Sequence, residues 1–394
     1  MPFALYMLAL AVFVMGTSEF MLAGLLPAIA TDLDVTVGTA GLLTSAFAAG
    51  MVLGAPLMAA FARRWPPRTA LLACLLLFAS CHVVAALTPV FPILLAARVL
   101  SALANAGFLA VALSTATTLV PTDRKGRAVA ILLSGTTIAT VAGVPAGALL
   151  GTAAGWRTTF WAISLLCVPA AIGILRGIAD NQDRAEVSTG SSSLRAELGQ
   201  LRSPRLLVAM LLGALVNGGT FAAFTFLAPV VTDTAGLGEA WISVVLVMFG
   251  VGSFLGVTIA GRLSDTRPGL VLAVGGPLLL TGWIALALAG SNPVLLVVLV
   301  LVQGMLSFGV GSTLIAQVLY AASGAPTMAG SYATAALNVG AAAGPVLGAV
   351  ALATEAGELA PIWVAAGLTA LALAVMLLSR LAGGARTQRR EVSF

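Results

Sequence analysis

Two side chains of opposite charge, Glu19 and Arg98, lie inside apolar runs where charge is rare. Glu19 sits in LYMLALAVFVMGTSEFMLAGLLPAIA, Leu5 to Ala30. That run is long and apolar enough to cross a bilayer as a helix. A carboxylate near mid-bilayer costs roughly 3 kcal/mol on insertion scales, so an intramembrane acid is a functional-site candidate by default. Counting about 11 residues in from Ala30 and about 8 in from Val90, at 1.5 Å per residue, puts Glu19 roughly 16 Å deep and Arg98 roughly 12 Å deep. At those depths the two can interact. Burial and a neighbouring cation pull on a carboxyl's proton in opposite directions. A carboxyl whose surroundings change with conformation can therefore bind a proton in one state and release it in another. Proton exchange is the chemistry this pair suggests; a static ion pair is the alternative. Asp32 and Asp34 follow the run and read as outer-loop charges, with Asp32 also a candidate for proton entry at the mouth.

Other chemistries find little support. His82 is the single histidine, so it makes no metal site; it reads as an interfacial side chain near the outer end of its run. Cys74, Cys81 and Cys167 all lie in apolar runs, an odd number with no close pairing, and read as small hydrophobes. There is no GxxxxGK[ST] stretch, hence no phosphate loop and no ATP-driven step. The drive must be a gradient, and a charge crossing the membrane gains about 2.3 kcal/mol per 100 mV. An embedded enzyme would need clustered acids, histidine or a nucleophile with its base; Glu19 is the one intramembrane acid and His82 is remote. The sequence therefore reads as no enzyme and calls for no cofactor. A non-transporting sensor is a third class, which the repeat described below disfavours.

The elements that hold these residues follow from composition. Of 394 residues, 60% are hydrophobic and 8% charged, against about 25% charged in a soluble domain. Twelve apolar runs lie near 4–30, 39–62, 69–88, 91–119, 128–152, 157–177, 205–231, 240–262, 269–289, 294–320, 329–354 and 360–382. Without a ten-residue alternating pattern they predict an all-α membrane protein of twelve transmembrane helices rather than a barrel. The first run lacks a short h-region and a small-residue cleavage site, so it reads as a retained span and not a signal peptide. With the N-terminus cytoplasmic, seventeen of the nineteen basic residues fall in inner loops or the tail; Arg157 lies outside and Arg98 within the membrane. This bias puts both termini in the cytoplasm, with the chain in the inner or plasma membrane of the cell. It also accounts for the net charge of +5 without a nucleic-acid partner.

The chain divides into two related halves. The offset of 202 residues pairs Pro27 with Pro229, Gly50 and Gly54 with Gly252 and Gly256, Pro66 with Pro268, and Gly107 with Gly309; Pro145 and Pro345 are 200 apart. The expected domains are 1–177, a six-helix bundle; 178–204, a cytoplasmic linker; and 205–394, a second bundle with a cytoplasmic tail. In the linker, 179–193 is flexible by composition. Leu194, Leu198 and Leu201 suggest a short helix on the inner leaflet, with Ser203 and Pro204 starting span 7. Parallel six-span repeats place a substrate site at their interface near the midplane.

A pocket for a small amphipathic molecule wants apolar and aromatic walls with a few placed polar groups. Arg98 and Asn105 share a stripe at i, i+7; Asn217, Phe221 and Phe224 fall at i, i+4, i+7; Gln303 with Ser307 and Thr334 with Asn338 fall at i, i+4; Met15 lies four before Glu19. These are candidate lining residues, and for each amide an interhelical hydrogen bond is the competing role. Gly143, Pro145 and Gly147, and Gly344, Pro345 and Gly348, permit close helix approach and kinks, and are expected at a gate between the halves. Asp265, at a helix C-terminus that disfavours it, is expected to latch onto the basic start of span 5 at Arg124, Lys125 and Arg127.

These features resemble the major facilitator superfamily, in its twelve-span drug–proton antiporter branch. The stretches GTSEFMLAGLLPAIATDL, GAPLM followed by RRWPPR, and GVPAGALLGTAAGWRTTFW look most like chloramphenicol-resistance efflux proteins and their sugar-efflux relatives. The resemblance covers nearly the whole chain. It implies two pseudo-symmetric six-helix bundles and a proton-coupled exporter of small drugs, chloramphenicol the best guess, with a sugar or metabolite exporter as the alternative. Arg98 in LLAARVLSALANAG matches the fourth-span arginine that the family ties to proton coupling. Gly143, Pro145 and Gly147 stand at its antiporter motif, repeated by Gly344, Pro345 and Gly348. Gly261, Leu263 and Asp265 match its loop motif after span 8, whereas the corresponding first-half acid is Arg63 here. The implied partners are a drug, protons and the bilayer, and nothing in the sequence demands more than a monomer.

Overall fold

The structure is a computed structural model that describes residues 2–61, 65–121, 124–178, 199–264, 268–325, 328–354 and 357–391. Among these residues the regular structure is helical throughout. Twelve helices are long and apolar enough to cross a membrane: spans 1 to 12 are Phe3–Gly24, Val37–Gly54, Pro67–Leu87, Phe91–Thr118, Arg127–Ala154, Trp156–Gly177, Pro204–Thr225, Ala240–Ala260, Gly269–Ala289, Pro293–Ala321, Ala329–Leu352 and Ala360–Ser379. Nine match their apolar runs to within three residues, while the runs 4–30, 39–62 and 205–231 extend six to eight residues past spans 1, 2 and 7. An even number of crossings leaves both termini on one face, the terminal face; the opposite one is the distal face.

Each set of six spans has its own apolar core. The exceptions mark where the sets meet. Phe226 of the second half is buried in the first core, while Ala23, Val144 and Ala148 of the first half are buried in the second. Small residues let backbones approach inside each half. A Cβ on Gly50 or Gly54 would collide with span 4, and one on Gly252 or Gly256 with span 10. The same repeat positions thus do the same packing in both halves.

Spans 1 and 7 are both broken at their distal ends. The α-helix Phe3–Phe20 tightens into 3-10 turns over Met21–Gly24, then resumes at Leu26–Asp32. The helix Pro204–Thr225 gives way to Leu227–Pro229 and a wide turn at Val230–Thr234. Pro27 and Pro229 lack the N–H that would bond four residues back, which frees the Ala23 and Thr225 carbonyls. The prolines break these spans rather than ending them. Pro145 acts similarly: span 5 widens over Ala139–Gly143, where the Val144 N–H reaches back five residues to Ala139. Span 11 passes Pro345 within one continuous helix, Ala329–Leu352, so the widened turn of span 5 is not repeated there.

The halves meet on the distal side. The Phe226 ring fills the space that side chains at Gly41 of span 2 and Gly348 of span 11 would need. A Cβ on Gly250 of span 8 would collide with the Thr140 carbonyl of span 5. Toward the terminal face, Lys125–Ile138 packs on spans 1 and 4 and makes no comparable contact with span 8. Along spans 5 and 8 the halves therefore touch distally and part terminally, while spans 2 and 11 pack closely across the halves through mid-span. At the distal edge a Cβ on Gly38 would sit 3.4 Å from that of Ala349, close to the ~3.5–4.5 Å of a disulfide. The double substitution Gly38→Cys, Ala349→Cys should cross-link on mild oxidation. A protease site placed within 179–198 makes this readable, because the two fragments should stay together on a non-reducing gel and separate with reductant.

Candidate functional site

Where span 1 loses its α-helix, its last carbonyls lack helical partners. Arg98 of span 4 supplies one. The guanidinium is 1% exposed; its Nη2 donates to the Ser18 carbonyl at 3.1 Å and its Nη1 to the Ser18 hydroxyl at 2.9 Å. Its flat face lies over the Phe47 ring of span 2, 4.3 Å from the centroid, a favourable cation–π arrangement in a desolvated site. A cation at a helix C-terminus also complements the macrodipole. Arg98 Nε, buried, has no hydrogen-bond partner among the described residues.

His82 corrects the sequence reading. It is 1% exposed, deep in the first bundle and not interfacial. Its Nδ1 lies 2.8 Å from the Phe78 carbonyl and its Nε2 2.7 Å from the Ser18 hydroxyl. Ser18 therefore joins spans 1, 3 and 4 through one hydroxyl.

Glu19 follows Ser18 in the same last turn and is half-buried. It adjoins the residue that Arg98 holds, yet among the described residues no hydrogen bond or direct ion pair joins Glu19 to Arg98. The static ion pair is thus absent from this conformation. Phe20 turns the other way, to the second half. Its ring lies 5.8 Å from that of Phe221 and 6.3 Å from that of Phe224. Phe224 continues to Phe249 at 4.7 Å and Phe249 to Phe308 at 6.0 Å. A run of aromatic rings thus crosses from span 1 through spans 7 and 8 to span 10, starting beside Glu19.

The other sequence candidates separate. Asn105 is buried on the Arg98 helix and takes part in no protein hydrogen bond among the described residues. Ser307 is buried with its hydroxyl unpartnered. Asn217 bonds the Leu337 carbonyl at 2.7 Å, and Asn338 bonds the Thr334 carbonyl at 3.0 Å. Asn217 thereby ties span 7 to span 11. Two candidates are turned away from any shared cavity. Met15 packs in the first core, and Gln303 is fully buried against span 9, donating to the Leu279 carbonyl at 3.2 Å.

The gate residues are also redistributed. Gly143 packs against Thr17 of span 1, Gly147 against span 6, and Gly344 against span 7, each inside its own half. Contact across the halves at span 5 comes from Thr140 and from Val144 and Ala148, the last two next to Gly143 and Gly147, with Pro145 buried between them. Gly348 receives the Phe226 ring. Asp265 lies outside the described residues, and with it the expected latch; Arg127 is exposed at the terminal end of span 5.

Asp32 forms an ion pair with Arg157 at the distal start of span 6, and Trp156 Nε1 donates to the same carboxylate at 3.3 Å. Arg157 also reaches the Thr88 carbonyl at 3.3 Å and stacks on Trp156. Asp32 thus ties three distal ends together and touches neither Glu19 nor Arg98. In the second half, burial and the nearby Asp233 carboxylate hold the Glu358 carboxyl above its ordinary value.

A profile of the Major Facilitator Superfamily matches residues 8–335. The chain is 66% identical over 375 residues to the chloramphenicol resistance protein of Streptomyces lividans, covering 95% of both chains. It is 30% identical over 355 residues, 90% of both chains, to the inner membrane transport protein YdhP of Escherichia coli K12. A bacterial homologue of the human lysosomal transporter Spinster, solved inward-facing and occupied, superposes with a TM-score of 0.74 at 18% identity, over 96% of this chain and 95% of that one. Its inward-facing unoccupied form gives 0.71 at 16% identity, over 95% and 94%.

Two outcomes follow from the geometry. Arg98→Lys keeps the charge but not the planar fork, so it should leave a Ser18 acceptor unpaired and lower stability by about 1–3 kcal/mol, read by thermal unfolding in detergent. Glu358 has a raised proton affinity in the fold, so its ionised form is penalised there. That penalty is present above the raised value and vanishes below the unfolded carboxyl's value of about 4.3. Glu358→Gln should therefore unfold at a higher temperature than the parent at neutral pH, with the gap closing as the pH falls through that window.

Proposed function

Because the chain belongs to the Major Facilitator Superfamily, we propose that it is a multi-pass exporter of small amphipathic drugs, chloramphenicol foremost, driven by protons moving inward. The name of the Streptomyces lividans relative, matched end to end, supports the substrate. The basic loops support a cytoplasmic terminal face, and the parting of spans 5 and 8 toward that face supports an inward-facing state in this reading. The chain works as a monomer in this reading.

One observation carries the coupling. Glu19 directly follows Ser18, which Arg98 holds by two hydrogen bonds, and among the described residues neither the Glu19 carboxyl nor the Arg98 Nε has a hydrogen-bond partner. Glu19 sits at the break in span 1, next to the rings that bridge the halves. With the outside open, Glu19 takes a proton as drug leaves. With the inside open, drug enters against Phe20, Phe221 and Phe224, and the carboxyl gives its proton to the cytoplasm. The ionised carboxylate is then matched by Arg98, whose free Nε–H is available to it. Asn105, buried without a partner, offers an amide to the drug's polar groups. Asp32, tied to Arg157, anchors the outer ends in place of admitting protons.

Everted membrane vesicles test this. An imposed pH gradient should drive chloramphenicol uptake that a protonophore abolishes. Glu19→Gln should lose at least about a hundredfold of that uptake, as expected when a required proton carrier is removed. Full gradient-driven uptake by Glu19→Gln would take Glu19 out of the mechanism.

A further inference from the structure

His82 contacts neither the aromatic run nor Glu19, and the coupling scheme above leaves it unused. Yet it is buried among Ser18 of span 1, Phe160 of span 6 at 5.7 Å, and Phe78 of its own helix at 4.2 Å. Its hydrogen bonds can be assigned direction. A carbonyl only accepts, so the proton on the 2.8 Å contact to Phe78 belongs to Nδ1. If Nε2 also carried a proton, His82 and Arg98 would be two buried cations donating to one hydroxyl oxygen, with no ion pair to offset them. That arrangement is costly, so Nε2 is bare and accepts the Ser18 hydroxyl proton at 2.7 Å. With its proton so held, the Ser18 oxygen presents its lone pairs to Arg98 Nη1 at 2.9 Å. The order of donation is Arg98 to Ser18, Ser18 to His82, His82 to the Phe78 carbonyl.

We propose that His82 is a positioning residue for proton coupling: as a neutral acceptor it fixes the rotor of Ser18, and through Ser18 the place of the Arg98 guanidinium relative to Glu19. This rests on the proton-coupled reading above. Without His82 the Ser18 hydroxyl proton loses its acceptor and the rotor is no longer fixed, which loosens one of the two bonds that hold Arg98. With the carbonyl bond as its one firm hold the cation is able to swing, and the match between Arg98 and an ionised Glu19 loosens.

The test uses the full chain in everted vesicles, with uptake scaled to the amount of folded protein. His82→Leu removes the acceptor and keeps the bulk. His82→Gln restores a carbonyl oxygen at about the reach of Nε2. His82→Leu should lower gradient-driven chloramphenicol uptake at least about tenfold, as a small misplacement of a working group does, and should move the pH of half-maximal uptake by about one unit. His82→Gln should recover most of the rate and the parental pH profile. Ser18→Ala should resemble His82→Leu, and the two together should be no worse than either alone. A parental rate and profile in His82→Leu overturns the inference. So does an equal loss in the Leu and Gln variants with the profile unmoved, which marks His82 as packing. No gradient-driven uptake by the parent chain overturns the exporter reading itself, and this inference with it.

Discussion

A guanidinium buried in a membrane bundle must find acceptors, because no water replaces them. Arg98 meets that demand at a helix that stops short. The break after Phe20 exposes carbonyls, Arg98 takes the one at Ser18, and the Ser18 hydroxyl adds a second bond. The cation and the broken helix therefore stabilise each other. Restoring a continuous helix through 21–25 would take the Ser18 carbonyl back into the ladder, and removing the arginine would leave that carbonyl bare. Glu19, in the same last turn, is disfavoured as an anion by its own helix end and favoured by Arg98. The proposed coupling therefore draws on the geometry of span 1 rather than on a fixed partner for Glu19.

The two-fold repeat explains which parts of this arrangement are shared and which are private. Gly50 and Gly54, with Gly252 and Gly256, close-pack equivalent helix pairs, and Pro27 and Pro229 break equivalent spans. The chemistry is not repeated. The positions 202 residues after Ser18, Glu19 and Arg98 are Thr220, Phe221 and Val300, and the second half answers the charged site with an aromatic one. The first half thus holds the charge and the second half supplies the apolar wall against it, as Phe20 against Phe221 and Phe224 illustrates.

What the sequence made legible follows from contrast. Twelve apolar runs stand out against short polar loops, so most of the spans were readable to within a few residues. A lone acid and a lone arginine stand out against apolar helices, so Glu19 and Arg98 were readable too. Facing was much harder. In a helix apolar all round, a period of 3.6 carries little contrast, and Met15 and Gln303 were assigned to a cavity although both point into the core of a half. The glycines of span 5 were expected between the halves, whereas their neighbours Val144 and Ala148 hold that face. Ser18 was missed because a serine beside a glutamate gives no signal by itself. His82 was misread because depth within an apolar run does not separate an edge from an interior. A signal was available for Phe20: it adjoins the acid and lies 201 residues before Phe221, nearly the repeat offset, so it belongs to the same meeting plane.

The break in span 1 also connects the charged site to the distal contact between the halves, the outer seal of the proposed exporter. Residues 21–24 run directly from Glu19 into the contact between halves, where Gly24 lies against Ala148 of span 5 and Leu246 of span 8. The equivalent point of span 7 is Phe226, whose ring is wedged between spans 2 and 11. Both broken segments therefore belong to the outer seal, and both begin where the inner helices end. An outer side that opens must withdraw Phe226 from Gly41 and separate Gly24 from Leu246, and so must move the turn that carries Glu19. The bonds from Arg98 to Ser18 sit just below that turn and hold its near side to the first bundle. In the proposed cycle, movement of that contact changes the distance from Glu19 to a guanidinium that stays in place. The proposed proton exchange and the closure of the halves would then be linked through four residues of backbone, with no separate signalling path needed.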